Sequence, residues 1–149
     1  MILKDLRKKG KVVLVGGVFD VVHPGHISFL QKAREFGDCL CVVVARDSTA
    51  LKLKRAPVIP ESQRLDVVRS LKSVDFAVLG YEGRDFIEIV KDIRPDVIVL
   101  GPDQMHDIKE FRDILKRAGL AAAVKRVDEV ESGALYSTKR IVDKIKESC

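Results

Sequence analysis

Tryptophan is absent, and aromatic residues make up only 5% of this 149-residue chain, six Phe and two Tyr. They do not alternate with basic residues in a stacking pattern, which counts against a single-stranded nucleic-acid platform. Cysteine is scarce as well. Cys39, Cys41 and Cys149 are odd in number and form no CxxC pair, so neither a disulfide framework nor a thiolate zinc site is expected. Cys39 and Cys41 read instead as small apolar residues on one face of a strand. No apolar run approaches the roughly 20 residues of a membrane span. The start, MILKDLRKKG, is basic with no apolar segment behind it, which points to a cytoplasmic address. Internal repeats, low-complexity tracts and a linker are also lacking. One domain spanning residues 1–149 is therefore expected, with residues 1–10 a basic, solvated leader.

Hydrophobic residues at 46% and charged residues at 33% describe a globular protein able to offset its ordering entropy. Lys and Arg number 27 against 22 Asp and Glu, a net charge of +5, with an isoelectric point near 9.2. The excess is clustered. Lys4, Arg7, Lys8, Lys9 and Lys11 face Asp5 alone at the start, and Lys52, Lys54 and Arg55 form a second group. Nucleic acid and a polyphosphate ligand are both partners such charge would suit.

Apolar, β-branched runs at KVVLVGG, CLCVVVARD, DFAVLG, DVIVLG and AAAVKRV read as five strands. Helical periodicity separates them: HISFLQKAREFG, closing on Gly37 as a C′ glycine; a helix opened by Pro60 with Leu65, Val68 and Leu71 on one face; RDFIEIVKDI; DIKEFRDILKRAG; and STKRIVDKIKE. The stretch from Lys52 to Pro60 reads as a loop between prolines. Such alternation implies right-handed crossovers and a Rossmann-like, doubly wound five-stranded parallel sheet with helices on both faces. Ligands then bind beyond the carboxyl ends of the strands, where strand order reverses.

The turn after the first strand holds His23-Pro24-Gly25-His26, two of the three histidines in the chain. At this spacing both rings can face one point in front of a helix N-terminus, where unpaired N–H groups favour an anion. Core or capping histidines, a metal pair assisted by Asp20, and a phosphate site all compete for this pattern. The phosphate reading alone uses the glycines, the helix start and the basic clusters together.

GGVFDVVHPGH resembles the (G)xFDxxHxGH signature of the HxGH nucleotidyltransferases, and Tyr136-Ser137-Thr138-Lys139-Arg140 partly matches a second segment of that superfamily, ISTT or ISST. Ala45-Arg46-Asp47, RAPVIPESQR (55–64) and LGPDQ (100–104) are most similar to archaeal-type FAD synthases. The resemblance implies adenylyl transfer from ATP to FMN, giving FAD and pyrophosphate by direct attack on the α-phosphate, with Mg²⁺ accompanying the triphosphate. It implies catalytic roles for His23, His26 and Lys52. Nucleotide binding would fall to Gly17, Val18, Phe19, Asp20, His23, Gly25, His26, Gly101, Asp103, Gln104, Tyr136, Ser137, Thr138 and Arg140. Acceptor contacts would fall to Arg46, Asp47, Lys54 and Arg64, with an ion pair as the alternative for Arg46, Asp47 and Arg64. His106 reads as a solvent-facing helix-start residue; Tyr81 and Phe19 could stack on a ring or pack in the core. A homodimer is implied, and neither nucleic acid nor membrane is expected as a partner.

Two other functions remain open on these residues. One is CTP-dependent transfer to glycerol 3-phosphate or another polyol phosphate, which shares the fold and the phosphate chemistry. The other is a nucleotide- or nucleic-acid-binding module without catalysis, supported by the isoelectric point.

Overall fold

The structure, a computed structural model, describes residues 2–53, 55–83, 86–102, 104, 107–127 and 137–149. Five strands form one parallel sheet: β1 Val12–Gly17, β2 Cys39–Val44, β3 Phe76–Leu79, β4 Val97–Leu100 and β5 Ala123–Arg126. Their order is β3-β2-β1-β4-β5, so the chain winds outward from β1 in one direction and then in the other. The carboxyl ends of β1 and β4 therefore flank the switch point.

Among the described residues, seven helices accompany the strands: α1 Ile2–Lys8, α2 Pro24–Arg34, α3 Asp47–Leu53, α4 Glu61–Arg69, α5 Phe86–Ile93, α6 Ile108–Arg117 and α7 Thr138–Ser148. Alternate residues of each strand face opposite layers. Val13, Val15, Leu40, Val42 and Val44 pack beneath α2 and α4, against Phe29, Leu30, Leu65 and Val68. Val12, Leu14, Cys39, Cys41 and Val43 face α1, α5 and α6, against Leu6, Ile89, Val90, Phe111 and Leu115. The doubly wound architecture is thus the expected one, with both cysteines on the second face. Burial pushes the Cys41 thiol up to about 12, which makes it an inert packing group. No helix among the described residues is long and apolar enough to cross a membrane.

The basic start is not a solvated leader. It forms α1, whose Leu6 is fully buried. Arg7 pairs with Asp96 at 3.1 Å and donates to the Arg94 carbonyl, and Asp96 also accepts from the Val12 amide at 2.8 Å. Burial pushes the Asp96 carboxyl up, but the Val12 N–H and the Arg7 guanidinium outweigh it and hold the group below its ordinary value. Charge at this end serves docking. Seven residues with Ile2, Leu3 and Leu6 among charged neighbours are too few to establish a helical period, which is why sequence patterning misses the helix.

Two further expectations change. The stretch expected to run as a loop from Lys52 begins instead with α3, again a short helix with a single buried residue, Ala50. Gly37 is not a left-handed C′ residue, since α2 ends at Arg34 with Glu35 as its C-cap. Glycine is required there for a different reason: a Cβ would lie 2.7 Å from the Lys11 carbonyl oxygen and from Val13 Cγ2.

Truncating Leu6 to Ala should lower unfolding free energy by about 2–5 kcal/mol, as for other buried leucines, whereas Lys8→Ala should be nearly neutral. Urea denaturation of the two variants checks this; an unchanged Leu6→Ala midpoint would mean that α1 is not docked.

Candidate active site

The first turn beyond β1 is shaped by close approach. Phe19 adopts a left-handed backbone, φ 53°, and its ring is buried; a Cβ on Gly17 would sit 2.8 Å from that ring. Phe19 is therefore part of the core. Its ring meets the His26 ring at 5.4 Å between centroids, forming one side of the histidine's seat.

His23 is the N-cap of α2. Its Nδ1 accepts from the Gly25 N–H at 3.1 Å, while His26 Nδ1 accepts from the His23 N–H at 3.2 Å. The two rings, 3.9 Å apart, therefore form a reciprocal capping box made of imidazoles. Because each Nδ1 accepts, the proton of each neutral ring is on Nε2. Burial holds the His23 ring below its ordinary pKa of 6.5, which favours that neutral donor form. The capping and anion-binding readings of the pair are thus compatible: one nitrogen caps the helix and the other carries a donor hydrogen.

α7 begins beside the same turn. Ser137 caps it by accepting from the Arg140 N–H at 3.1 Å, and Thr138 Oγ1 donates to the Val21 carbonyl at 3.2 Å, joining segments 117 residues apart. α2 and α7 are also the only helices among the described residues with no acid in the first turn. The others carry Asp5, Asp47, Glu61, Glu88 and Glu110 there. An acid at either helix start would compete with an anionic ligand for the same N–H groups.

The remaining expected residues divide into several groups. Asp20 ties the loop to the first turn: Oδ2 accepts from Val58 N–H at 2.9 Å and Oδ1 from Ile59 N–H at 2.8 Å, pinning the proline-bounded loop beside the histidine turn. Arg64 is neither a surface ion pair nor an exposed ligand contact. It is fully buried, and its nitrogens donate to Ile59 O at 2.8 Å, Val18 O at 2.6 Å and Asp47 Oδ1 at 2.7 Å. Arg46 and Asp47 do not pair with each other; Arg46 donates to Gly80 O and Glu61 Oε2, each at 2.8 Å. Glu61, which sequence reasoning missed, also accepts from the Asp47 N–H at 2.9 Å. That N–H, and then Arg46, hold the Glu61 carboxyl below its ordinary range.

Lys52 is exposed in the last turn of α3. Gly101 and Gln104 lie at the end of β4, with the Gln104 amide engaged by backbone on both sides. Tyr81 donates to Asp92 and packs at the edge of the second core. Lys54, Asp103, His106 and Tyr136 lie outside the described residues. Among the described residues, no group of three or more His, Cys, Asp or Glu side chains could hold a metal.

Comparison with known proteins identifies the family. The cytidylyltransferase-like family matches residues 14–144. The chain is 49% identical over 141 residues to the FAD synthase of Methanopyrus kandleri, covering 93% of each chain. It is 48% identical over 139 residues to the FAD synthase of Methanothermobacter thermautotrophicus, covering 91% of each. The crystal structure of a lipopolysaccharide core biosynthesis protein from Thermoplasma volcanium superposes with a TM-score of 0.78 at 40% identity, covering 81% of this chain and 98% of that one.

A depressed His23 pKa means that folding excludes a proton. This residue's contribution to stability should be complete above pH 6.5 and decline as pH falls toward the folded-state pKa. Urea midpoints measured from about pH 5 to 7.5 should show that decline in the wild type and a shallower one in His23→Asn, which keeps a capping side chain. Equal slopes would show that His23 is not held neutral.

Proposed function

The chain belongs to the cytidylyltransferase-like family, and we propose that it acts there as an FAD synthase, transferring the adenylyl group of ATP to the phosphate of FMN. A phosphate oxygen of FMN attacks the α-phosphorus of ATP. The new O–P bond forms as the bond from the α-phosphorus to the bridging oxygen breaks, and pyrophosphate departs with its electron pair. The observation that carries this reading is the capping box: two neutral imidazoles with Nε2–H donors at one helix start, where charge on the α-phosphate develops. Nucleotidyl transfer needs positioning and charge stabilisation, not a protein nucleophile.

The resemblance supports roles for the other residues. Ser137, Thr138 and the N–H groups opening α7 would hold the β- and γ-phosphates, with Arg140 on the departing pyrophosphate. Lys52, on the exposed end of α3, would reach the triphosphate. Gly17, Val18 and Gly25 would provide backbone close to the phosphates, while Gly101 and Gln104 would face the nucleoside from the end of β4; Asp103 is assigned to nucleotide binding from the resemblance alone. Tyr136 stands next to the Ser137 cap in the sequence. Asp20, Arg46, Asp47 and Arg64 support these groups from behind, because their polar atoms are already engaged with protein; Lys54 is left as the acceptor-side candidate.

MgATP is read as the substrate, with the cation neutralising its phosphates. A cytoplasmic, homodimeric enzyme without nucleic-acid partners completes the proposal. Free cysteines, two of them buried, suit a reducing compartment.

Pyrophosphate release should be fast with ATP and FMN, and negligible with CTP and glycerol 3-phosphate; the opposite preference would overturn the acceptor and nucleotide assignment. Replacing His26 with Ala should lower kcat by about 10²–10³-fold with a much smaller change in KM for ATP, as for loss of a transition-state donor. Steady-state kinetics would remove His26 from that role if turnover were retained.

A further inference from the structure

We infer that Arg126 is a positioning residue that holds the nucleoside half of ATP's site in shape, an inference that rests on the adenylyl transfer proposed above. Arg126 closes β5 directly opposite Leu100, the last residue of β4. From there Nη1 donates to three backbone carbonyls of the turn beyond β4: Gly101 at 2.7 Å, Pro102 at 3.2 Å and Gln104 at 2.6 Å. Carbonyl oxygens gathered around one point repel one another, so the turn keeps this shape only with a cation at their focus.

Gln104 extends the constraint across the sheet. Its Oε1 accepts from the Gly101 N–H at 2.9 Å, and its Nε2 donates to the Gly16 carbonyl at 2.8 Å. Gly16 lies in β1, so the brace runs from β5, over the end of β4, to the strand that feeds the histidine turn. It spans the switch point. A nucleotide with its phosphates at the start of α2 must place its nucleoside over this turn or beside it. The guanidinium need not touch the ligand to set the shape of that surface.

Loosening the brace should therefore weaken ATP binding while sparing FMN binding and the chemical step. The test varies ATP and FMN separately in a pyrophosphate-release assay, with calorimetric binding of MgATP alone, for the wild type, Arg126→Met, Arg126→Lys and Gln104→Glu. Arg126→Met should raise KM and Kd for ATP about tenfold, leaving kcat and KM for FMN within about threefold, with Arg126→Lys intermediate because it keeps one charged donor. Gln104→Glu adds a pH signature. Its ionised carboxylate would oppose the Gly16 carbonyl, and protonation would restore the donor, so its ATP KM relative to wild type should fall as pH is lowered.

A merely structural role would lower Tm and all kinetic parameters together, without that pH dependence. ATP affinity within about twofold of wild type in a folded Arg126→Met variant, or a loss confined to kcat, would overturn the inference. Should Arg126→Met fail to fold, Arg126→Lys and Gln104→Glu decide by the same criteria. Wild-type protein inactive with ATP and FMN would count against the proposed function instead, and MgATP binding to the variants would then decide the role of Arg126.

Discussion

A guanidinium with no exposed surface holds the rim of the candidate active site together. Arg64 joins three segments that are remote in sequence: the Val18 carbonyl after β1, Asp47 at the start of α3, and the Ile59 carbonyl in the proline-bounded loop. A buried charge is costly unless every donor has a partner, and removing it would leave two carbonyls and a carboxylate without theirs. Asp20 secures the same loop from the other side by accepting from two successive N–H groups. Glu61, one turn before Arg64, secures the first N–H of α3. These interactions make the histidine turn and the lysine-bearing helix parts of one rigid frame.

Within that frame the electrostatics are built by subtraction as much as by addition. Acids occupy the first turns of five helices and are missing from the two, α2 and α7, that meet through Thr138 and Val21. At the first of these, burial holds His23 below its ordinary pKa, and both histidines use Nδ1 as a cap, which leaves Nε2 to offer a hydrogen bond. The chain's positive balance consequently has two uses. Lys52, Lys139 and Arg140 lie on elements that border the site, whereas the basic start of the chain serves to dock α1, through Arg7 and Asp96.

The sheet was legible because its strands are continuous apolar runs ended by glycine or charge, a pattern that burial on both faces requires. Its switch point followed from the alternation of strands and helices, and the histidine turn from the rarity of its residues. α1 and α3 were not legible, since each is only seven residues long and too short to establish a period. The supporting roles of Arg64, Gln104 and Arg126 were not legible for a different reason. Arg64 apart from its contact with Asp47, and Gln104 and Arg126, act on backbone groups, which every residue possesses, so little in the sequence marks these contacts. One signal was available: acid-free first turns, visible once helix starts are compared with each other.

The central claim is that this site transfers an adenylyl group without forming a bond to it. Both histidine Nδ1 atoms are occupied and both Nε2 atoms carry hydrogen, so neither ring presents a lone pair to phosphorus. The stereochemical course at the α-phosphorus tests this most directly, using a single diastereomer of ATP with sulfur in place of one α-oxygen and FMN as acceptor. Inversion of configuration in the product is the expected result. Retention would require two successive displacements through a covalent adenylyl-enzyme, and would contradict the account.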